Sequence, residues 1–223
     1  MRPIRSLAIG ILSIAFAAAG CSRAQNDRSQ PSPQSASNHE TRSGASPQKT
    51  STGRYPYTEA DVHFMSGMIG HHAQALVMAG WAPSHGASPS LRTLAERIIN
   101  GQQDEIATMQ RWLKDRGQPV PPATPMSMKM TSGSMEHEML MPGMLTDAQM
   151  KELDQARGPE FDRKFLTFMI QHHRGAITMV QQLFGTNGAA QDEATFKMAN
   201  DISADQTTEI DRMTRMLAAL PQQ

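Results

Sequence analysis

Two pairs of adjacent histidines are the side chains of this sequence best suited to bind a metal ion. In both pairs a methionine comes three residues before the first histidine, and another comes seven residues after it. Imidazole binds Cu(I) or Cu(II), and the soft thioether of methionine favours Cu(I), whereas hard oxygen-seeking ions select neither donor. The pattern predicts a copper site, with Cu(I) favoured and Cu(II) possible, formed by His71, His72, His172, His173, Met68, Met78, Met169 and Met179.

Neutral imidazole is the form that binds a metal, and its reference pKa is about 6.5. From the sequence we therefore expect copper affinity to fall as the pH drops through about 6.5. The alternative interpretation is that each histidine is a hydrogen-bonded core or boundary residue with no metal.

Residues 125–144 form a methionine-rich insert with seven methionines and one histidine in 20 residues. Lysine, serine, glycine and proline interrupt every apolar periodicity in it, so a core-forming role is weakly supported. Its M-x-M and M-x-x-M clusters resemble the methionine motifs of exported copper-handling proteins, although a low-complexity loop that binds nothing is the alternative. The candidate secondary ligands are Met126, Met128, Met130, Met135, His137, Met139, Met141 and Met144.

The histidine pairs belong to an internal repeat that spans most of residues 55–220. Residues 61–78 match residues 162–179 at an offset of 101, and residues 95–113 match 199–217 at an offset of 104. All four segments have helical spacing, and on a helical wheel the two histidines of each pair flank the apolar stripe. The sequence predicts an all-α fold, an antiparallel four-helix bundle made of two repeated helical hairpins.

Capping residues mark the expected helix boundaries. Thr58 and Thr146 each precede an acidic or amide residue by three positions, as in a capping box, and Ser88 precedes a proline at the first helical position. Gly158-Pro159 is expected to kink or restart the third helix. No alternating run bounded by hairpin turns predicts a strand.

The chain begins with features of an exported lipoprotein. Residues 1–20 have a short basic segment, an apolar run and small residues before Cys21, which predicts a lipoprotein signal peptide and lipidation of that cysteine. An ordinary signal peptide is the alternative. Residues 21–54 are polar and are expected to form a disordered tether. The predicted location is the cell envelope or periplasm, with a lipid anchor to a membrane.

Composition excludes several other classes of protein. The 21 basic and 21 acidic side chains leave no electrostatic footprint for nucleic acid, and a single cysteine cannot form a multi-thiolate metal site. No Glu-x-x-His motif supports a ferritin-like dinuclear oxidase, so we expect no enzyme. Glu105 and Glu209, at equivalent repeat positions, are interpreted as supports for histidine or as solvent-facing residues. An envelope scaffold or partner-binding bundle without metal remains the other alternative.

The doubled F-x3-M-I-x-H-H-x2-A-x2-M pattern, with a Q-x2-E-I-x2-M helix after each copy, resembles the bacterial family called domain of unknown function 305. That family includes CopM-like periplasmic copper-binding proteins, so the resemblance implies a ferritin-like bundle and copper binding through histidine and methionine. Two positions depart from the family pattern. Gly70 and Gln171 replace a common proline, and Ala73-Gln74 stands where Gln-Gly or Arg-Gly is common.

Overall fold

The computed structural model describes residues 56–125, 128–132 and 135–221, all within one compact unit. The predicted signal peptide, Cys21, the predicted tether and Met126 lie outside these residues. In chain order the described elements are α1 (Glu59–Gly80), α2 (Pro89–Asp115), β1 (Met128–Ser132), β2 (Met135–Met139), α3 (Asp147–Gln155), α4 (Gly158–Gly185) and α5 (Glu193–Ala219). None of these helices is both long and apolar enough to cross a membrane.

Four long helices dominate the described part of the chain, as the repeat predicts. Helix α1 packs along α2, and α4 packs along α5, so each repeat forms a helical hairpin. The two hairpins meet where α1 contacts α4. The short helix α3 contacts both α1 and α4.

The expectation of a fold without strands is wrong within the methionine-rich insert. Strands β1 and β2 pair antiparallel, with Met128 opposite Met139 and Met130 opposite His137. Methionine alternates with polar residues over this short stretch, and such a period of two suits a strand. The run is too short and too rich in methionine to stand out as a strand in the sequence alone.

The predicted caps are present. The Thr58 side chain accepts from the Asp61 N–H at 3.3 Å, while the Thr58 N–H donates to Asp61 Oδ2 at 2.7 Å. Ser88 caps α2, and Thr146 caps α3 together with Gln149. Since α3 ends before α4 begins at Gly158, the third predicted helix is restarted rather than kinked.

Two buried aspartates at equivalent repeat positions fasten each hairpin to the other. Asp61 of α1 accepts, through Oδ1, the N–H of Ala190 at 2.7 Å, in the loop that leads into α5. Asp162 of α4 accepts the N–H of Ser88 at 3.1 and 3.3 Å, at the start of α2. Ala190 has a φ of 55°, so the bond from Asp61 also holds a backbone conformation that alanine rarely adopts.

Removal of one of these carboxylates should destabilise the docking of the two hairpins. Asp61→Ala is expected to lower the free energy of unfolding by about 2–4 kcal/mol, because it leaves buried N–H groups without an acceptor. Urea unfolding measures this change. The exposed helical variant Asp104→Ala serves as the control and should stay within about 0.5 kcal/mol of the wild type. Equal stability of the two variants would contradict the role assigned to Asp61.

Candidate metal centre

The four paired histidines lie together in the interior, and we call them the histidine layer. All four side chains are fully buried, whereas the helical wheel predicted only that they flank the apolar stripe. The rings of His71 on α1 and His172 on α4 have centroids 3.9 Å apart and planes tilted by 38°. Within each pair the centroids are 6.3 Å apart on α1 and 6.2 Å apart on α4. The repeat therefore brings the two histidine pairs into one place.

The outer histidines of the layer contact carboxylates on the second helix of their own repeat. His173 Nε2 donates to Glu209 Oε2 of α5 at 2.7 Å. His72 Nε2 lies 2.7 Å from Glu105 Oε2 of α2, although this contact is less well aligned for a hydrogen bond. The interpretation of the two glutamates as supports for histidine is confirmed. An ionised carboxylate only accepts, so these contacts place the ring proton on Nε2.

The inner histidines contact backbone carbonyl groups instead. His71 Nε2 lies 2.9 Å from the Pro142 oxygen, and His172 Nε2 lies 3.0 Å from the oxygen of His71. A carbonyl oxygen cannot donate a hydrogen bond, so Nε2 must carry the proton in both rings. His71, His172 and His173 therefore share one tautomer, assigned from their hydrogen-bond partners. The contact with Glu105 favours the same tautomer in His72.

In all four histidines the opposite ring nitrogen, Nδ1, is buried and has no hydrogen-bond partner among the residues that the structure describes. Because the proton is on Nε2, each Nδ1 presents a free lone pair. Buried polar atoms without partners are rare in folded proteins, and four in one layer call for an explanation. Histidines that bind metals usually donate their other N–H to a carbonyl or carboxylate, as these rings do. The arrangement fits imidazoles prepared to bind metal through Nδ1.

Two buried glutamines add to this polar interior. The side-chain nitrogen and oxygen of Gln102 and the side-chain oxygen of Gln206 also lack partners. These residues occupy equivalent repeat positions, one helical turn before Glu105 and Glu209. Neither glutamine was among the predicted site residues, although the duplicated Q-x2-E spacing was a signal that could have pointed to them.

Burial favours the neutral imidazole in His71, His172 and His173 by lowering the pKa of each. Desolvation, with a smaller contribution from His72, lowers the pKa of His71 to about 3. Burial and then the neighbouring His71 hold the pKa of His172 well below its usual value. Burial also lowers the pKa of His173, against the opposing effect of Glu209. The pKa of all three imidazoles is thus lower than 6.5, so the expected pH dependence of copper affinity moves to lower pH.

The methionines predicted as ligands are buried but do not form one group. Met68 and Met179 belong to a hydrophobic cluster that also contains Met141 and Met144, which we call the strap-side cluster. Met78 and Met169 belong to a second cluster, which also contains Met213 and which we call the opposite cluster. Each cluster thus contains one predicted methionine ligand from each repeat. The sequence pattern of one helix cannot show that methionines of different repeats share a cluster.

The methionine-rich insert is divided between two environments. Met141 and Met144 are buried in the strap-side cluster, so the interpretation that the insert contributes little to the core is wrong for these two residues. The other described members, Met128, Met130, Met135, His137 and Met139, lie on β1 and β2. Their role as secondary metal ligands stays a prediction.

Residues 142–145, which we call the strap, lie directly against α1 and α4 beside the histidine layer. A Cβ atom at Gly175 of α4 would lie 1.9 Å from the Pro142 oxygen, so only glycine permits this approach. On α1 the Gln74 side chain donates to the Leu145 oxygen at 3.0 Å and accepts from the Leu145 N–H at 2.7 Å. Gln74 and Gly175 occupy equivalent repeat positions, and the difference between them lets the strap bind both helices.

The positions that depart from the family pattern do not interrupt the helices. Gly70 lies within α1, and Gln171 lies within α4. Gln74 lies within α1, and its side chain accepts a hydrogen bond from the Leu145 N–H of the strap. Among residues 56–125, 128–132 and 135–221, no three His, Cys, Asp or Glu side chains form a group that could hold one metal ion.

Comparisons with known proteins agree with this architecture. The family model described as domain of unknown function (DUF305) matches residues 61–217. A solved DUF305 fragment from Deinococcus radiodurans is similar to this chain, with 27% identity and a TM-score of 0.60, over 74% of this chain and 99% of that one. Among curated proteins, uncharacterized protein L153 of Acanthamoeba polyphaga mimivirus is 38% identical over 56 residues, which are 25% of this chain and 37% of the viral protein.

A solved structure of CopM in the Cu(II)-bound form has 31% identity to this chain and a TM-score of 0.54, and the match covers 71% of this chain and 95% of CopM. CopM in the Cu(I)-bound form has 28% identity and a TM-score of 0.52, over 70% and 94% of the two chains. The match to the family model spans the two histidine pairs and most of the described helices. This chain belongs to the family of domain of unknown function 305 (DUF305).

Proposed function

We propose that this protein is an exported copper-binding protein that serves in copper buffering, storage or resistance. The observation that carries the proposal is the histidine layer, in which four buried rings keep Nδ1 without a partner while Nε2 faces a carbonyl or carboxylate oxygen. The similarity to CopM, with its Cu(I)- and Cu(II)-bound structures, supports the choice of metal.

The donors around the layer favour copper over hard cations. Mg(II) and Ca(II) require several oxygen ligands, whereas the two glutamates beside the layer already contact His72 and His173. Thioethers lie in the hydrophobic clusters that contain the predicted methionine ligands, and sulfur favours Cu(I). The proposed sites therefore combine one or two imidazoles with methionine sulfur. No enzymatic reaction is part of the proposal.

The proposal also includes the fold of the helical domain and the location of the protein in the cell. We take α1, α2, α4 and α5 to be a ferritin-like four-helix bundle in which the histidine layer lies between the two hairpins. Export would follow from the predicted signal peptide, and lipidation of Cys21 would anchor the protein to a membrane in the cell envelope. An exported protein meets copper outside the thiol-rich cytosol, where soft ligands from the protein itself are useful.

A competition titration of the full chain against a Cu(I) chelator tests the copper proposal. Replacement of the four layer histidines with glutamine should weaken Cu(I) binding by more than about 100-fold, because even changes to residues that support metal ligands cost about 10–100-fold. His85→Gln is the matched control, since His85 is also buried but hydrogen-bonds to Asp154 away from the layer. Circular dichroism establishes that each variant is folded.

Three outcomes of this titration have different meanings. Mg(II) and Ca(II) in excess should not displace Cu(I). Unchanged affinity in the folded four-histidine variant would place the site in the methionine-rich insert and contradict the assignment to the layer. Absence of Cu(I) binding by the wild type would contradict the proposed function and favour the scaffold alternative.

A further inference from the structure

An open groove of about 450 Å³ lies between α1 and α4 beside the strap. Its wall is mostly apolar and includes Phe64, Leu140 and Leu183. Among the side chains that the structure describes, no aspartate, glutamate, lysine or arginine lines it. The groove therefore provides neither the oxygen ligands of a hard cation nor the charged partners of an anion.

Three side chains with soft or borderline donor atoms line this groove. His63 is exposed on α1, one turn after the start of the helix, and was not among the residues predicted to bind metal. Met141 precedes the strap, and Met179 lies on α4. Both methionines belong to the strap-side cluster, so their thioethers lie at the boundary between the core and the groove. One imidazole with two thioethers is a donor set that suits Cu(I) or Ag(I).

The groove lies next to the histidine layer. Pro142 lines the groove, and its carbonyl oxygen accepts the hydrogen bond from His71 Nε2 at 2.9 Å. Only one residue therefore separates the groove from the buried imidazoles. The exposed side of the groove is open to solvent, whereas the layer is fully buried.

We propose that this groove is a second, solvent-accessible site for a monovalent soft metal ion, formed by His63, Met141 and Met179. The ion binds here first and then passes the strap to reach the histidine layer. The inference rests on the proposed function, because it assumes that the protein binds copper.

Ag(I) is the probe, because it is a diamagnetic soft ion that can be followed by NMR. The full chain carries ¹³C labels on the methionine methyl groups, and the signals of Met141 and Met179 are assigned from single leucine variants. Substoichiometric Ag(I) should shift these two signals before the others. The double variant His63→Ala, Met141→Leu keeps Met179, which is also a predicted ligand beside the layer. It should bind one ion fewer and should load the layer at least about tenfold more slowly.

Met213→Leu is the matched control, because Met213 is fully buried in the opposite cluster and the exchange conserves volume. This variant should bind Ag(I) as the wild type does, and an equal loss in both variants would overturn the groove site. The folded four-histidine variant should keep the rapidly loaded ion in the groove, and loss of that ion there would also overturn a separate site.

The two proposals fail in different ways. If the double variant binds Ag(I) with the wild-type number of ions and rate, the groove site is wrong while the histidine layer stands. If no form of the protein binds Ag(I) or Cu(I), the proposed function fails together with the groove site.

Discussion

Gly175→Ala is expected to lower the free energy of unfolding by about 2–4 kcal/mol, because overpacking against a fixed neighbour and the loss of strap hydrogen bonds outweigh the better helix propensity of alanine. The new Cβ would lie 1.9 Å from the Pro142 oxygen, 2.4 Å from the Pro142 carbonyl carbon and 2.5 Å from Gly143 Cα. All three atoms are backbone, so no side-chain rotation relieves the contact. The strap must move away from α4 or the helix must shift.

The chain offers a matched control at Gly101 in the middle of α2. A Cβ at Gly101 meets nothing within 4 Å, so Gly101→Ala should be neutral or stabilising by up to about 1 kcal/mol. Urea unfolding of both variants measures the difference. In Gly175→Ala the hydrogen bond between His71 and Pro142 should also weaken, which faster exchange of the His71 ring N–H would report. Equal stability of the two alanine variants would contradict the close contact between strap and helix.

Acidification of the metal-free protein is expected to destabilise it well before the carboxylates titrate. The folded-state pKa of His71, about 3, lies below the unfolded value of 6.5, so the unfolded chain binds the proton first. The contribution of His71 to the free energy of unfolding is therefore fully present above pH 6.5 and decreases as the pH drops below that value. For His71 alone the loss is about 1.4 kcal/mol per pH unit, or about 2–3 kcal/mol between pH 6.5 and 4.5.

His172 and His173 act in the same direction, because burial lowers the pKa of each. The total loss by pH 4.5 is therefore greater than that of His71 alone, against a typical stability of about 5–15 kcal/mol. Asp192 has a pKa below its usual value, since hydrogen bonds from Trp112 and Arg116 outweigh its burial. Its contribution is lost only as the pH falls below about 3.8, so it does not obscure the histidine effect.

Urea unfolding of the chelator-treated protein between pH 7.5 and 4.5 measures this dependence. His71→Gln should show a shallower slope than the wild type below pH 6.5, because one buried titrating group has been removed. A flat stability profile over this range would contradict the neutral buried state of the layer. An unchanged slope in His71→Gln would show that other groups cause the loss.

The sequence by itself determined the repeat, the helix boundaries and the position of the histidine pairs beside the apolar stripe. Helical periodicity fixes which residues share a face, and the face that carries His71 and His72 also carries apolar residues, so it had to turn inward. Capping at Thr58, Ser88 and Thr146 depends on residues at most three positions away, and such local interactions can be read from the chain. Duplicated spacing was also sufficient to suggest that Glu105 and Glu209 support histidines.

Only the tertiary structure decided which groups the predicted histidine and methionine ligands contact. Periodicity shows on which face of its helix a residue lies but not which residues of other helices pack against it. It could therefore not show that Met68 shares a cluster with Met179 of the other repeat. The Nε2 partners of the inner histidines are backbone oxygens, which leave no signature in the side-chain sequence. The low pKa of His71 likewise follows from complete burial, whereas the isolated residue suggested a value near 6.5. Long-range contacts of this kind depend on how the two hairpins and the strap come together.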